Sequence, residues 1–325
     1  MKKLIAILLT VLTLCAFTAC KAPEPQDLTV YAPDGAPALA ISKLISDSDN
    51  LGLGGTATYN VVSANEIGPI MMQGKGDIIV MPVNAASKLY DKQEDGYKMA
   101  GVVTHGNLYI MSKTEIALSD LKGKIIGVIG QGLVPDLTFK TILNKNGIGF
   151  QTSDEVVENK VAIRYFAAAS DMLPLLRTGK LEIGLVPEPA ATKLSKMAPE
   201  FQYRLDVQSL YSESGSYPQA VVMVKQSLLD KNPKLLDTLE EKITASVTYL
   251  TSNVAEMVNA VNAKLSEGVT PSLDANSISA EVITGMKIYW EDCESAKLSV
   301  QNYIDDIIAV EQASAIKVGD SFFAK

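Results

Sequence analysis

The chain carries an internal copy of part of itself. Shifted by 105 positions, residues 66–89 align without a gap on residues 171–194, and nine of the twenty-four pairs are identical. These are Pro69/Pro174, Gly74/Gly179, Lys75/Lys180, Ile78/Ile183, Pro82/Pro187, Ala85/Ala190, Ala86/Ala191, Lys88/Lys193 and Leu89/Leu194. Each copy reads as a helix (66–73 and 171–178), a glycine stop, an apolar strand (78–81 and 183–186), a proline turn and a second helix. Asn65 and Ser170 precede the first helices and are predicted to cap them. A short apolar strand between helices is what a parallel sheet buried on both faces requires. Further strands at 28–31 and 125–129 run into the Gly-rich turns 33–37 and 130–135. Two similar α/β lobes are therefore expected.

Ligands of open α/β sheets sit beyond the carboxyl ends of the strands, where helix starts aim unpaired N–H groups outward. Two facing lobes would gather the turns 33–37, 63–65, 82–85 and 104–107 of one and 130–135, 168–171 and 187–190 of the other around a single cleft. The candidate binding residues are Asp34, Gly35, Ala36, Asn65, Pro82, Asn84, His105, Asn107, Gln131, Gly132, Ser170, Glu188 and Tyr217. Glu188 serves such a turn either as a contact or as a cap. Asp34 serves equally to brace its own Asp-Gly turn, and Tyr217 either stacks on a solute ring or packs.

The amino terminus reads as an address. Lys2 and Lys3 precede an apolar run over 4–17, too short to span a bilayer, and small residues follow, so 1–19 is read as an export signal. Thr18-Ala19-Cys20 resembles a bacterial lipobox, with Phe17 where leucine is usual, and this resemblance implies a lipid on Cys20. The polar, Pro-rich stretch 20–27 is the expected tether. Cleavage would remove both lysines and take the net charge from -8 to -10, and would leave Cys293 as the lone cysteine beside the anchor, so no disulfide is expected. An acidic chain of 325 residues has no basic field for a nucleic acid.

After residue 194 come a strand beginning at Tyr217 and helices over 233–250, 253–264, 279–293 and 300–310, with Tyr289 and Trp290 as packing residues of the third. Three segments then resemble a known family: Leu118-Ser-Asp-Leu-Lys-Gly-Lys-Ile-Ile-Gly-Val128; Gly179-Lys-Leu-Glu-Ile183 through Glu188-Pro-Ala-Ala191; and Tyr217-Pro-Gln-Ala-Val221 leading to Asn232-Pro-Lys234. Together, in this order and behind such a leader, they resemble the nitrate/sulfonate/taurine and thiamine-precursor (NitT/TauT-like) branch of ABC-importer solute-binding proteins. The resemblance implies a type II periplasmic-binding-protein fold with a ligand cleft between lobes joined by two crossovers. These are placed near 109–113 and 216–220, with lobe one from 28–110 and 219–325 and lobe two from 111–218. It also implies a monomer at the outer face of the membrane that captures a small solute by hinge closure and delivers it to a permease with a cytoplasmic ATPase. A receptor reporting to a sensor would read the same way in sequence.

Only three arginines occur, Arg164, Arg177 and Arg204, and none falls in an expected cleft turn, so a bidentate anion clamp is not visible. Amides and carboxylates favour a neutral or cationic nitrogen heterocycle. The alternative is a sulfonate or oxyanion held at helix starts. One histidine and one unanchored cysteine are too few for a zinc site, and no nucleophile turn or phosphate loop appears. No metal, cofactor or catalysis is expected, although enzymes on the same fold are a further alternative.

Overall fold

The computed structural model describes residues 24–276 and 278–325. The expected leader, Cys20 and the first tether residues lie outside them. In chain order the strands are β1 (Gln26–Pro33), β2 (Gly54–Val62), β3 (Ile78–Pro82), β4 (Tyr97–Thr104), β5 (Leu108–Ser112), β6 (Ile125–Ile129), β7 (Phe150–Thr152), β8 (Val161–Phe166), β9 (Ile183–Pro187), β10 (Tyr203–Asp206), β11 (Ala220–Lys225) and β12 (Ile288–Asp292). The helices that position the site are α1 (Ala36–Ala40), α2 (Ser42–Asp47), α3 (Ile67–Met72), α4 (Val83–Leu89), α5 (Val134–Lys145), α6 (Ala169–Arg177), α7 (Ala190–Met197) and α8 (Val207–Tyr211). The remainder are α9 (Gln226–Lys231), α10 (Leu235–Ser252), α11 (Val254–Asn262), α12 (Ala280–Gly285) and α13 (Cys293–Val310).

Two six-stranded sheets result, ordered β12-β4-β11-β3-β1-β2 and β10-β5-β9-β6-β8-β7. The two copies of the repeat take equivalent places in them. β3 lies between parallel β1 and antiparallel β11, and β9 lies between parallel β6 and antiparallel β5. Ile78–Met81 and Ile183–Val186 are buried along their whole length, and each such side chain contributes roughly 1.5–3 kcal/mol by leaving water. Gly74 and Gly179 end the preceding helices at φ +63 and +73, a left-handed stop that a side chain would strain.

The two lobes share a buried cluster on one side. It runs from Met81 and Val102 of the first sheet through Tyr303 of α13 to Ile110 and Val128 of the second. Helix α13 buries Ala296, Val300, Tyr303, Ile304 and Ile307, a stripe at helical spacing, and the Thr138 and Tyr303 hydroxyls meet at 2.5 Å. Asp292 caps this helix through the backbone N–H groups of Glu294 and Ser295, which hold its carboxyl below the usual range.

Several expectations shift by local physics. The end of the stretch expected as a tether belongs to the fold: Gln26 pairs with Gly54, and the Asp27 carboxylate accepts from the backbone and hydroxyl of Thr56. The first crossing falls at 105–107 rather than 109–113, so 108–110 belong to the second sheet, where Leu108 opposes Pro187. The second crossing spans 207–219 and contains Tyr217, and β11 starts at Ala220. Neither Asn65 nor Ser170 caps its helix: at α6 Asp171 accepts from the Ala168 N–H, and at α3 Glu66 accepts from the Ser63 N–H of the preceding turn. Tyr289 and Trp290 lie on β12, not on a helix; α12 stops at Gly285, and the Ile-Tyr-Trp run suits an edge strand.

Candidate functional site

Strand direction puts the carboxyl ends of both sheets against each other. β4 ends at Thr104, on the same edge of the first sheet as Pro33, Val62 and Pro82, since Ala220 opposes both Thr104 and Pro82. β5 begins at Leu108, on the edge of the second sheet that carries Pro187. Only residues 105–107 separate the two edges, so the turns that follow β3 and β9 meet at the hinge. They are joined there by hydrogen bonds. Val83 N–H donates to the Gln219 carbonyl, Gln219 Nε2 to Asn107 Oδ1 (3.3 Å), and Asn107 Nδ2 to the Glu188 carbonyl (3.2 Å). Val83 and Glu188 are themselves equivalent positions of the 105-residue repeat.

The same bonds fix which way the amides point. A backbone carbonyl only accepts, so Asn107 must turn its NH2 to Glu188 and its oxygen to Gln219. Gln219 must then donate, which leaves its Oε1 free of any partner in the chain. Asn84 likewise donates Nδ2 to the Ser314 carbonyl (3.2 Å), and its Oδ1 is left unpaired. Thr104 Oγ1 and Asp34 Oδ1, on the same edge of the first sheet, are also buried without a partner. Three of these four atoms can only accept when the acid is ionised, and the hydroxyl can accept too. Buried acceptors of this kind call for donors from water or from a solute.

Glu188 is 4% exposed and already well supplied. Its Oε2 accepts from Thr192 N–H (3.0 Å), and its Oε1 from the Thr192 hydroxyl (2.9 Å) and Arg204 Nη1 (2.7 Å). Arg204, absent from the expected site, reaches it from β10 across β5, and its guanidinium lies over the Tyr109 ring. Burial pushes the Tyr109 hydroxyl up, and that hydroxyl donates to the Gly285 carbonyl of α12 (3.4 Å). A first-lobe helix therefore abuts the second lobe beside Glu188.

Asp136, fully buried at the start of α5, accepts from Gly132 N–H (2.8 Å), Lys140 Nζ (2.9 Å) and the Tyr165 hydroxyl (2.8 Å). Burial, then the bond to Asp136, pushes Tyr165 up to about 12. Lys140 also reaches Glu311 Oε2 (2.6 Å). Burial opposes its charge, but the two carboxylates outweigh that and raise its pKa, and Lys140 in return holds Glu311 low.

The remaining expected residues divide by burial. Gln131, Asn65 and Ser170 are exposed at the edges, Pro82 is the residue before α4, and Gly35 and Ala36 open α1. His105 is buried at the hinge, its ring stacked face to face on Tyr289 (3.5 Å between centroids) and its Nε2 3.1 Å from Glu291 Oε2. Tyr217 packs against Tyr303 and Tyr211 inside the shared core, where burial drives its hydroxyl pKa well up. That placement makes it a core residue of the hinge.

No family model and no curated protein matches the chain. Solved structures do. An ABC transporter protein from Parabacteroides distasonis is 18% identical with a TM-score of 0.73, over 92% of this chain and 98% of that one. The periplasmic aliphatic sulphonate binding protein SsuA from Escherichia coli is 12% identical with a TM-score of 0.64, over 91% and 96%. The ligand-binding component of an ABC-type import system from Staphylococcus aureus, solved with zinc bound, is 11% identical with a TM-score of 0.59, over 92% and 96%. At these identities the likeness establishes the fold, a two-lobed α/β architecture of the periplasmic-binding-protein kind.

Proposed function

We propose that this chain is the solute-binding component of an ABC importer, exported and anchored through a lipid on Cys20, and that it hands its solute to a permease driven by a cytoplasmic ATPase. The observation that carries the reading is the bonded path from Val83 through Gln219 and Asn107 to Glu188. It joins matched turns of two lobes at a hinge three residues wide, the place where closure would trap a small molecule. The fold shared with solute-binding proteins supports it.

The solute we propose is small, polar and rich in N–H donors, neutral or cationic. Unpaired amide and carboxylate oxygens at the first-lobe edge support this. The helix starts support it as well. At α7 the Glu188 carboxylate already accepts from the Thr192 N–H, and the starts of α3, α5 and α6 carry the carboxylates Glu66, Asp136 and Asp171, which accept from Ser63, Gly132 and Ala168 just ahead of those helices. A sulfonate arriving there would meet a carboxylate's negative charge beside the helix-start donors. His105 is held by stacking on Tyr289 and by Glu291, which suits a hinge residue, and the role we propose for the chain is that of a binder.

Thermal unfolding of the full chain against aminopyrimidines, amines, amides, sulfonates and inorganic anions tests this. Solute at about 100 times its dissociation constant adds roughly 2.7 kcal/mol of stability. A shift with nitrogen donors and none with sulfonates is expected. A shift with sulfonates alone would overturn the solute class, and no shift with any of them would overturn the binding role.

A further inference from the structure

Unlike the exposed Glu66 and Asp171, Asp34 has a carboxylate oxygen withdrawn from water, and among such acids at the cleft edges it stands apart from Glu188 and Asp136. Glu188 holds three donors including Arg204, and Asp136 holds three including Lys140. Asp34 has one protein donor: its Oδ2 accepts from Ser272 N–H at 2.7 Å, while its Oδ1 is withdrawn from water with no partner. No cation pairs with it among the described residues.

Its position is nonetheless built with care. Asp34 N–H donates to the Val62 carbonyl, tying the turn to the end of β2. Gly35 follows at φ +104 and ψ -147, a region open essentially to glycine alone. Below it, α1 buries Ala36, Ala38, Leu39 and Ala40, so the turn rests on a packed base. Above it, residues 264–266 bond to Val61 on the next strand, and the chain then continues to Ser272. A half-buried carboxylate held rigidly, half supplied with donors and without a counter-charge, is costly unless something else completes it.

Resting on the proposed capture of a donor-rich solute, we infer that Asp34 is the specificity-determining residue of the cleft and selects a solute bearing a protonated nitrogen, an amidinium, aminopyridinium or similar planar cation with at least two N–H donors. One N–H of the cation supplies Oδ1, and its charge answers the Asp34 carboxylate, whereas Glu188 already pairs with Arg204 and Asp136 with Lys140. The second N–H finds the unpaired amide oxygens of the same edge.

The test measures binding of benzamidinium and 4-aminopyridinium, their neutral counterparts benzamide and pyridine, and benzenesulfonate to the full chain. Wild type, Asp34→Asn and Asp34→Glu are compared, by thermal shift and calorimetry. Asparagine keeps an oxygen for Ser272 N–H, so Asp34→Asn should melt near the wild type. It should bind the cations at least tenfold more weakly and benzamide within about twofold, and the salt dependence of cation binding should disappear. Asp34→Glu should retain the preference for cations. Undiminished cation binding by Asp34→Asn, or binding of benzamide or benzenesulfonate by a wild type that ignores the cations, would overturn the role of Asp34 and leave solute capture standing. A wild type that binds none of the five probes, nor any compound of the wider panel, would overturn both.

Discussion

Replacing Asn107 by aspartate exchanges one NH2 group for an oxygen at the centre of the hinge. Asn107 is 5% exposed, and its Nδ2 is the donor to the Glu188 carbonyl. The aspartate keeps an acceptor for Gln219 Nε2 and loses the other bond. An unsatisfied buried carbonyl costs about 1–3 kcal/mol. The new carboxylate faces that carbonyl with one neutral donor to support it, and burying charge on those terms adds about as much again. Together these amount to roughly 3 kcal/mol, or a melting point lower by about 6–12 °C at about 2–4 °C per kcal/mol. Urea unfolding of the solute-free chain, read by circular dichroism, gives the free energy directly, with Asn107→Ala as the size control. A loss below about 0.5 kcal/mol, the scale of a bland surface change, would refute the amide orientation and the bonded path between the two turns.

Arg204→Met should destabilise the chain by about 2 kcal/mol, because it strands a buried carboxylate that keeps only Thr192 for support, and Glu188→Gln in the same chain should recover at least half of that loss; additive effects in this double-mutant cycle would show that the pair is not coupled. Gly106 sits in the first crossing at φ +92, and a side chain there would come within 2.6 Å of the Tyr217 ring and 2.7 Å of Gln208 Cγ. Gly106→Ala should therefore cost about 2–3 kcal/mol in chemical denaturation, and a neutral effect would contradict the hinge packing. Lys140 holds the Glu311 carboxyl below its ordinary range, so that bond stabilises the folded chain above the usual glutamate pKa of about 4.3 and is lost as the pH falls through the lowered folded value. Wild type should melt above Glu311→Gln at pH 7, with the gap closing below about pH 4; a gap that persists unchanged at pH 3 would contradict the assignment.

The parts of this fold that were legible in sequence are those set by local periodicity and punctuation. The apolar runs of β3, β6 and β9, the stops at Gly74 and Gly179 and the Pro82/Pro187 turns are short-range features, and the structure places them in matching positions. What sequence did not disclose depends on sheet order. Arg204 lies sixteen residues from Glu188 and meets it because β10 and β9 flank β5, an adjacency without any local mark. The Ser314 segment that fixes Asn84 lies 230 residues away. Tyr217 illustrates the opposite limit. An aromatic residue near a crossing suits solute stacking or packing equally, and only its place between Tyr211 and Tyr303 separates the two. The β12 strand escaped the helical reading because apolar residues over 279–293 recur at both periods, and the break at Gly285 to Lys287, the latter at φ +48, is a backbone feature.

The capture of a solute between matched turns is tested most directly by amide hydrogen exchange of the full chain, with and without the compound that raises its melting point most. Capture between the lobes should slow exchange at both 83–86 and 190–192, one stretch in each lobe, together with the hinge residues 105–107. Protection confined to a single lobe, or to the outer face of α10 around 237–249, would contradict it.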